Sequence, residues 1–320
     1  GGRYRIIDFI LSNLVNAGIE NVGIFTKTNS RSLLDHLGSG KPWDLDRKIS
    51  GLFLFNFGHI ASYDGDVGSL RNNMEYFTRS KEKYVILASS NMICNIDFRE
   101  AAKCHEESGK DVTLIYKTIQ HGENSFIGCD AINLDKDKNI ISIGKNIGKD
   151  NELNIFTGMY IMEREFIINI IHTCLQTGCA KNIKDYIKNN LKKININTYE
   201  FKGYLQCVNS INSYFKANMD MLSEEIRNEL FYRNGLIYTK VKDEAPTKYS
   251  DNARVYNSLI ANGCIIDASV KNSIIGRRVI IGKGAEIENC IIMQGAEIQE
   301  NVTLKNVIID KNNIIEKGKE

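Results

Sequence analysis

SIIGRRVIIGKGAEIENCIIMQGAEIQENVTLKN, residues 273–306, sets aliphatic side chains at fixed intervals. Ile275, Ile281 and Ile287 lie six residues apart, and Ile292, Ile298 and Leu304 repeat that spacing after a slip of one residue. This is the hexapeptide signature of a parallel β-helix, in which one aliphatic side chain per short strand stacks inward and glycine or asparagine takes the corners. The pattern extends outward from this stretch, through SLIANGCIIDASVKN (258–272) on one side and VIIDKNNIIEKGKE (307–320) on the other, so four rungs are expected. A phase that survives successive rungs argues against accidental spacing in a β-meander.

The residues before the repeats have a different texture. Residues 21–26, 84–89 and 111–117 read as short buried strands, and 8–17, 30–37 and 98–107 space their apolar residues as helices do. Alternating strands and helices predict a Rossmann-like α/β domain built on a parallel sheet covered on both faces. Ligands of such sheets bind beyond the carboxyl ends of the strands. YVILASSNMICNID (84–97) brings Ser89, Ser90 and Asn91 to that edge. A helical stretch at 210–230 and the turn-prone KVKDEAPTKYS (240–250), with Pro246, lead from this domain to the repeats.

Composition narrows the function classes. A chain of 320 residues with 42% hydrophobic residues can bury the cores of two domains. Its 41 basic and 39 acidic side chains leave a net charge of +2, which supplies no basic field for nucleic acid or an anionic membrane. No run approaches the roughly 18 apolar residues of a membrane span, and no apolar leader is seen, so a cytoplasmic protein is expected. The eight cysteines follow no CxxC spacing and read as reduced thiols rather than a disulfide framework or a zinc site; Cys174 and Cys179 read the same way.

Three segments carry a family resemblance that spans nearly the whole chain: GGRYRIIDFILSNLVNAGI (1–19), HLGSGKPWDLDR (36–47) and NSYFKANMDML (212–222). They resemble glucose-1-phosphate adenylyltransferase, the ADP-glucose-forming enzyme of bacterial glycogen synthesis. The resemblance implies a nucleotidyltransferase-like α/β domain over 1–230, a linker over 231–252 and a left-handed β-helix over 253–320. It also implies that the family's triphosphate-cradling glycine-rich loop falls upstream of Gly1; Gly1 and Gly2 are not that loop.

In this family a sugar-phosphate oxygen attacks the α-phosphorus of ATP and pyrophosphate leaves. Positioning and charge neutralisation by Mg2+ therefore carry the catalysis. Two aspartates of the family hold that cation. Aligning LSGDHIYKMDY with ASSNMICNIDF puts Asn91 at the first position, and aligning YWKDVGT with YLQCVNS puts Cys207 at the second. Both metal-ligand positions are thus degenerate; no catalytic or metal residue is expected, and no cofactor is assigned. Asp97 is the nearest carboxylate in sequence and reads as structural.

Other positions agree with erosion. Tyr63-Asp64-Gly65-Asp66-Val67-Gly68 inserts acid where the family has a nucleotide-side turn. Lys145, between Gly144 and Asn146, matches the neighbourhood of the sugar-phosphate segment and retains a possible phosphate contact. Asp130 and Phe156 stand near a glycine and a serine of the family, while Gly158 and Tyr160 read as packing residues. Arg3 either contacts an anionic sugar-phosphate effector or is a solvated surface arginine.

These losses resemble the D-type subunit of the same enzyme, which pairs with a catalytic subunit. The expected role is a catalytically silent regulatory member of a hetero-oligomer, by resemblance a tetramer. The alternatives are a weakly active transferase with a substitute metal ligand and a stand-alone sugar-phosphate or nucleotide sensor. An acyltransferase is disfavoured, because none of His36, His59, His105, His121 and His172 lies in the repeats. Trp43 reads as a loop anchor, and Arg277, Arg278 and Lys283 as a solvated basic face.

Overall fold

The computed structural model describes residues 2–26, 30–56 and 65–318. They form two compact units, Ile10–Cys207 in one and Gly1–Phe9 with Val208–Glu320 in the other. Among the described residues no helix is long and apolar enough to cross a membrane.

The elements preceding the sheet are α1 (Ile6–Asn16), β1 (Asn21–Thr26), α2 (Arg31–Leu37), β2 (Gly51–Asn56), α3 (Asp66–Arg71) and α4 (Met74–Arg79). Strands β1 and β2 pair in parallel, and Phe25 meets Phe55 with ring centroids 4.8 Å apart. There follow β3 (Tyr84–Ala88), β4 (Met92–Ile93), α5 (Phe98–Ser108), β5 (Val112–Ile119), β6 (Asp130–Leu134), β7 (Ile140–Lys145), β8 (Leu153–Glu163), α6 (Arg164–Thr177), α7 (Ile183–Asn189), β9 (Ile196–Glu200) and β10 (Gln206–Cys207). Helix α5 begins where the Asp97 carboxylate accepts from the Arg99 N–H at 2.9 Å, and it ends at Gly109, whose φ of 60° is open to glycine. Helix α6 buries Ile167, Ile168, Ile170, Ile171 and Cys174, the face its spacing dictates.

The sheet is mixed, not parallel throughout. Strand β8 lies between β3 and β5 and runs antiparallel to both, while β5 and β9 are parallel. Strands β6 and β7 form a hairpin, and β6 also pairs antiparallel with β8. Asp135 closes that hairpin by accepting from the backbone N–H groups of Asp137 and Asn139 at 2.9 and 2.8 Å. An apolar run such as β8 is buried in either direction, so burial alone gave no sign of its sense.

The expected helix over 210–230 is two helices, α8 (Ile211–Asp220) and α9 (Glu224–Tyr232). A capping box between Ser210 and Ser213 starts α8. Between the helices Arg227 donates to the carbonyls of Met221 and Leu222 at 3.1 and 2.7 Å, which satisfies groups that a helix end leaves open.

The repeats form three parallel sheets of short strands. One contains Lys248–Tyr249, Ile265–Ile266, Ile280–Ile281, Glu297–Ile298 and Ile314–Ile315, the next Arg254–Tyr256, Ser269–Lys271, Glu286–Glu288 and Thr303–Lys305, and the third Leu259–Ile260, Ile274–Ile275, Ile291–Ile292 and Ile308–Ile309. Ile275 faces Ile292, Ile281 faces Ile298 and Ile287 faces Leu304, each 17 residues on. The slip in the hexapeptide register is therefore a rung of 17 residues, in which two faces are reached after six residues and the third after five. Asn257, Asn272, Asn289 and Asn306 occupy one corner with φ of 42–56°, a region asparagine tolerates. Their amides form a ladder, Asn257 to Asn272 at 2.8 Å and Asn289 to Asn306 at 3.2 Å.

Candidate functional site

Beyond Ala88 the chain turns through Ser89 and Ser90, and β4 pairs antiparallel with β10, placing Met92 opposite Cys207. That pairing brings together the two positions singled out from the sequence. Asn91 Nδ2 donates to Cys207 Sγ at 3.4 Å, across 116 residues of chain. Ser89 Oγ donates to Asn91 Oδ1. On its other side the buried Cys207 accepts a hydrogen bond from the Cys129 thiol, which pulls the Cys207 pKa down and pushes that of Cys129 up. Asn91 thus orients its amide between a hydroxyl and a sulfur.

This donor set does not fit Mg2+, which demands hard oxygen ligands. The amide oxygen of Asn91 is already engaged by Ser89, and Cys207 offers a soft sulfur. Asp130, next to Cys129, is tied to Lys184 Nζ at 2.8 Å. Asp97 caps α5 and pairs with Arg99 at 2.7 Å; the hydrogen bond from the Arg99 side chain holds its carboxyl below the ordinary range. Among the described residues no three His, Cys, Asp or Glu side chains come together as a metal cluster.

Gly158 closes the floor beneath Ser89. It lies in an irregularity of β8, where the register against β5 shifts, with φ of 72°, and its carbonyl accepts from the Ser89 N–H at 3.1 Å. A Cβ there would stand 2.8 Å from Ser89 Cβ. Gly158→Ala is therefore expected to cost about 2–3 kcal/mol, strain and overlap together, read as a lower urea midpoint at unchanged slope. Tyr160 is buried against Phe156, with ring centroids 4.9 Å apart.

Lys145 ends β7, exposed, in register with Asp130 on β6. Its neighbour Asn146 is buried and clamps a loop, donating to the carbonyls of Gly122 and Ser125, each at 2.8 Å, and accepting from Gly148 N at 2.8 Å. In the acidic turn, Tyr63 and Asp64 lie outside the described residues. Asp66 turns its carboxylate to the Ile183 N–H at 2.8 Å, at the start of α7, and burial raises its pKa. That acid is occupied with helix capping rather than directed at a ligand. Trp43 is buried edge-on to His36, with centroids 5.8 Å apart, and Arg47 of the same motif pairs with Asp44 and Glu20, each at 2.6 Å. The motif anchors its own loop.

In the other unit Arg3 is exposed and lies over the Tyr4 ring at 5.1 Å, while its carbonyl accepts from Arg277 Nη2 at 3.1 Å. Burial and then the charge of Arg3 lower the pKa of Arg277. Burial also lowers that of Lys242, followed by the charges of Arg277, Arg278, Lys240 and Arg5. Arg277 and Arg278 thus lie in a charged cluster with Arg3, Arg5, Lys240 and Lys242, scattered in sequence, which Asp8 and Glu244 partly offset, Glu244 pairing with Arg278 at 3.4 Å. Cys129 and Lys184 were also missed from the sequence, since each meets a partner far away in the chain, Lys184 from helix α7, rather than through any local motif.

Residues 1–224 match the family described as nucleotidyl transferase, and residues 244–320 match the one described as GlmU-like, C-terminal hexapeptide. The chain is 37% identical over 322 residues to the glycogen biosynthesis protein GlgD of Bacillus subtilis (strain 168), covering 100% of this chain and 83% of that protein. It is 39% identical over 290 residues to GlgD of Geobacillus stearothermophilus, covering 89% and 74%. Against the glucose-1-phosphate adenylyltransferase of Bacillus cereus (strain ATCC 14579) it is 29% identical over 327 residues, covering 99% and 86%.

Proposed function

Because the chain belongs to the nucleotidyl transferase family, in its branch with a hexapeptide domain and with GlgD proteins among its relatives, we propose that it is a D-type subunit of glucose-1-phosphate adenylyltransferase in glycogen biosynthesis. The partner it regulates makes ADP-glucose and pyrophosphate from ATP and glucose 1-phosphate. This chain is itself catalytically silent. One observation carries that reading: Asn91 and Cys207, at the two metal-ligand positions, satisfy one another at 3.4 Å in place of a cation.

The remaining assignments rest on the same footing. The partner is the catalytic subunit, in a hetero-oligomer and by resemblance a tetramer, located in the cytoplasm. The nucleotidyltransferase-like domain is assigned to 1–230, the linker to 231–252 and the β-helix to 253–320. Lys145 is exposed for contact with a sugar phosphate. Arg3, exposed and close enough to Arg277 to lower its pKa, is the effector contact.

Co-purification with the catalytic subunit, followed by saturation curves for glucose 1-phosphate and ATP, tests the proposal. The mixture is expected to differ from the catalytic subunit alone in half-saturation or maximal rate. Identical curves from a verified complex would overturn the regulatory role. The weakly active alternative would need Asp130, the carboxylate whose charge reaches Cys207, as substitute ligand, and its ion pair with Lys184 opposes that use.

A further inference from the structure

We propose that Cys174 and Cys179 are a reversible thiol–disulfide modification site that tightens the hold on the start of α3. Their Sγ atoms lie 3.8 Å apart. Cys174 is buried in the last turn of α6; Gly178, with φ of 64°, reverses the chain immediately after it and donates to the Cys174 carbonyl at 2.8 Å. The reversal sets Cys179 over the helix end, facing Cys174. A disulfide needs about 2.05 Å between sulfurs, so rotation of the side chains must bring them closer. Of the eight cysteines Cys179 is the exposed one, which makes it the entry point for a solution oxidant.

The oxidant is a low-molecular-weight disulfide. The Cys179 thiolate attacks one of its sulfurs, forming a mixed disulfide and expelling one thiol. Cys174 gives up its proton and attacks the Cys179 sulfur, forming the protein disulfide and releasing the second thiol. Two cysteine thiols lose two protons and two electrons, and the small disulfide gains them as two thiols. Burial pushes the Cys174 thiol up to about 12, so Cys179 makes the first attack.

The consequence lies just past Cys179. Lys181 O accepts from Val67 N at 3.1 Å, Asn182 Oδ1 from Asp66 N at 3.2 Å, and Asp66 Oδ1 from Ile183 N at 2.8 Å. These bonds fasten the first turn of α3 to the segment that the disulfide would tie to α6. Gly65 is fitted so closely that a Cβ would stand 2.1 Å from Lys181 O.

Treating the full chain with oxidised glutathione, blocking residual thiols with iodoacetamide and mapping peptides by mass spectrometry is expected to give a Cys174–Cys179 link that dithiothreitol reverses. Cys179→Ser, an exposed and small change, should show none. A lasting glutathione adduct on Cys179 with Cys174 alkylated would overturn the site, as would alkylation of both. In the oxidised wild type, hydrogen exchange at Val67 and Ile183 should slow by up to roughly 40-fold, the loop-entropy limit for a closed loop of about six residues. Exchange at those amides that ignores oxidation would overturn the hold on α3.

Discussion

Purified alone with magnesium, ATP and glucose 1-phosphate, the full-length protein is expected to release pyrophosphate roughly 10,000-fold to 1,000,000-fold more slowly than its catalytic partner, because two electrostatic anchors are missing and each is worth about 100-fold to 1,000-fold in rate. The replacements do more than delete charge. Cys207 is 2% exposed and already accepts hydrogen bonds from Cys129 and Asn91, so a cation would have to displace a satisfied contact to reach it. Cys207→Asp alone buries a carboxylate within the field of Asp130 and is expected to cost about 2–4 kcal/mol. With a melting shift of about 2–4 °C per kcal/mol for a protein of this size class, that is visible in a thermal scan. In Asn91→Asp/Cys207→Asp, millimolar Mg2+ should recover about 2–3 kcal/mol if it reaches 100 times its dissociation constant, and some turnover should return. Wild-type protein should show neither response. A magnesium-dependent rise in its melting temperature, with pyrophosphate release within about 100-fold of the partner's, would contradict the loss of the metal site.

The two positions behind that prediction were legible because alignment to a short motif names a residue without needing its neighbours. What surrounds them was not. Cys129, directly before β6, meets Cys207 of β10 far along the chain, and no local spacing encodes that. The acidic turn that holds Asp66 was read against a nucleotide, yet the Asp66 carboxylate accepts from the Ile183 N–H at the start of α7, where a helix end leaves its donors open to an acid. The helices α2 and α5 follow the apolar spacing closely, because a helix face is a local property. The sense of β8 is a property of the whole sheet, and the expected parallel sheet gave way to a mixed one. In the β-helix local and global order coincide: the interval that sets one strand also sets its neighbour in the next rung, so even the one-residue slip had a structural meaning.

That coincidence makes the repeats sensitive to a single inward charge. Ile281 is 1% exposed and sits in a row with Ile266 below and Ile298 above. Ile281→Asp would place a carboxylate where no polar group can answer it, and the expected loss exceeds about 4 kcal/mol. Ile280, the preceding residue, points outward and is 42% exposed; Ile280→Asp should change stability by no more than about 0.5 kcal/mol. Since each rung is held mainly by the rungs it touches, the inward substitution should uncouple both flanks and open residues 258–318 to limited proteolysis, while the outward one leaves them resistant. If the β-helix is also the element through which the subunit associates, Ile281→Asp should be lost from the complex with the catalytic subunit. Equal stability of the two variants would mean that the aliphatic rows do not hold the repeats together, and the hexapeptide reading of this region would fall with them.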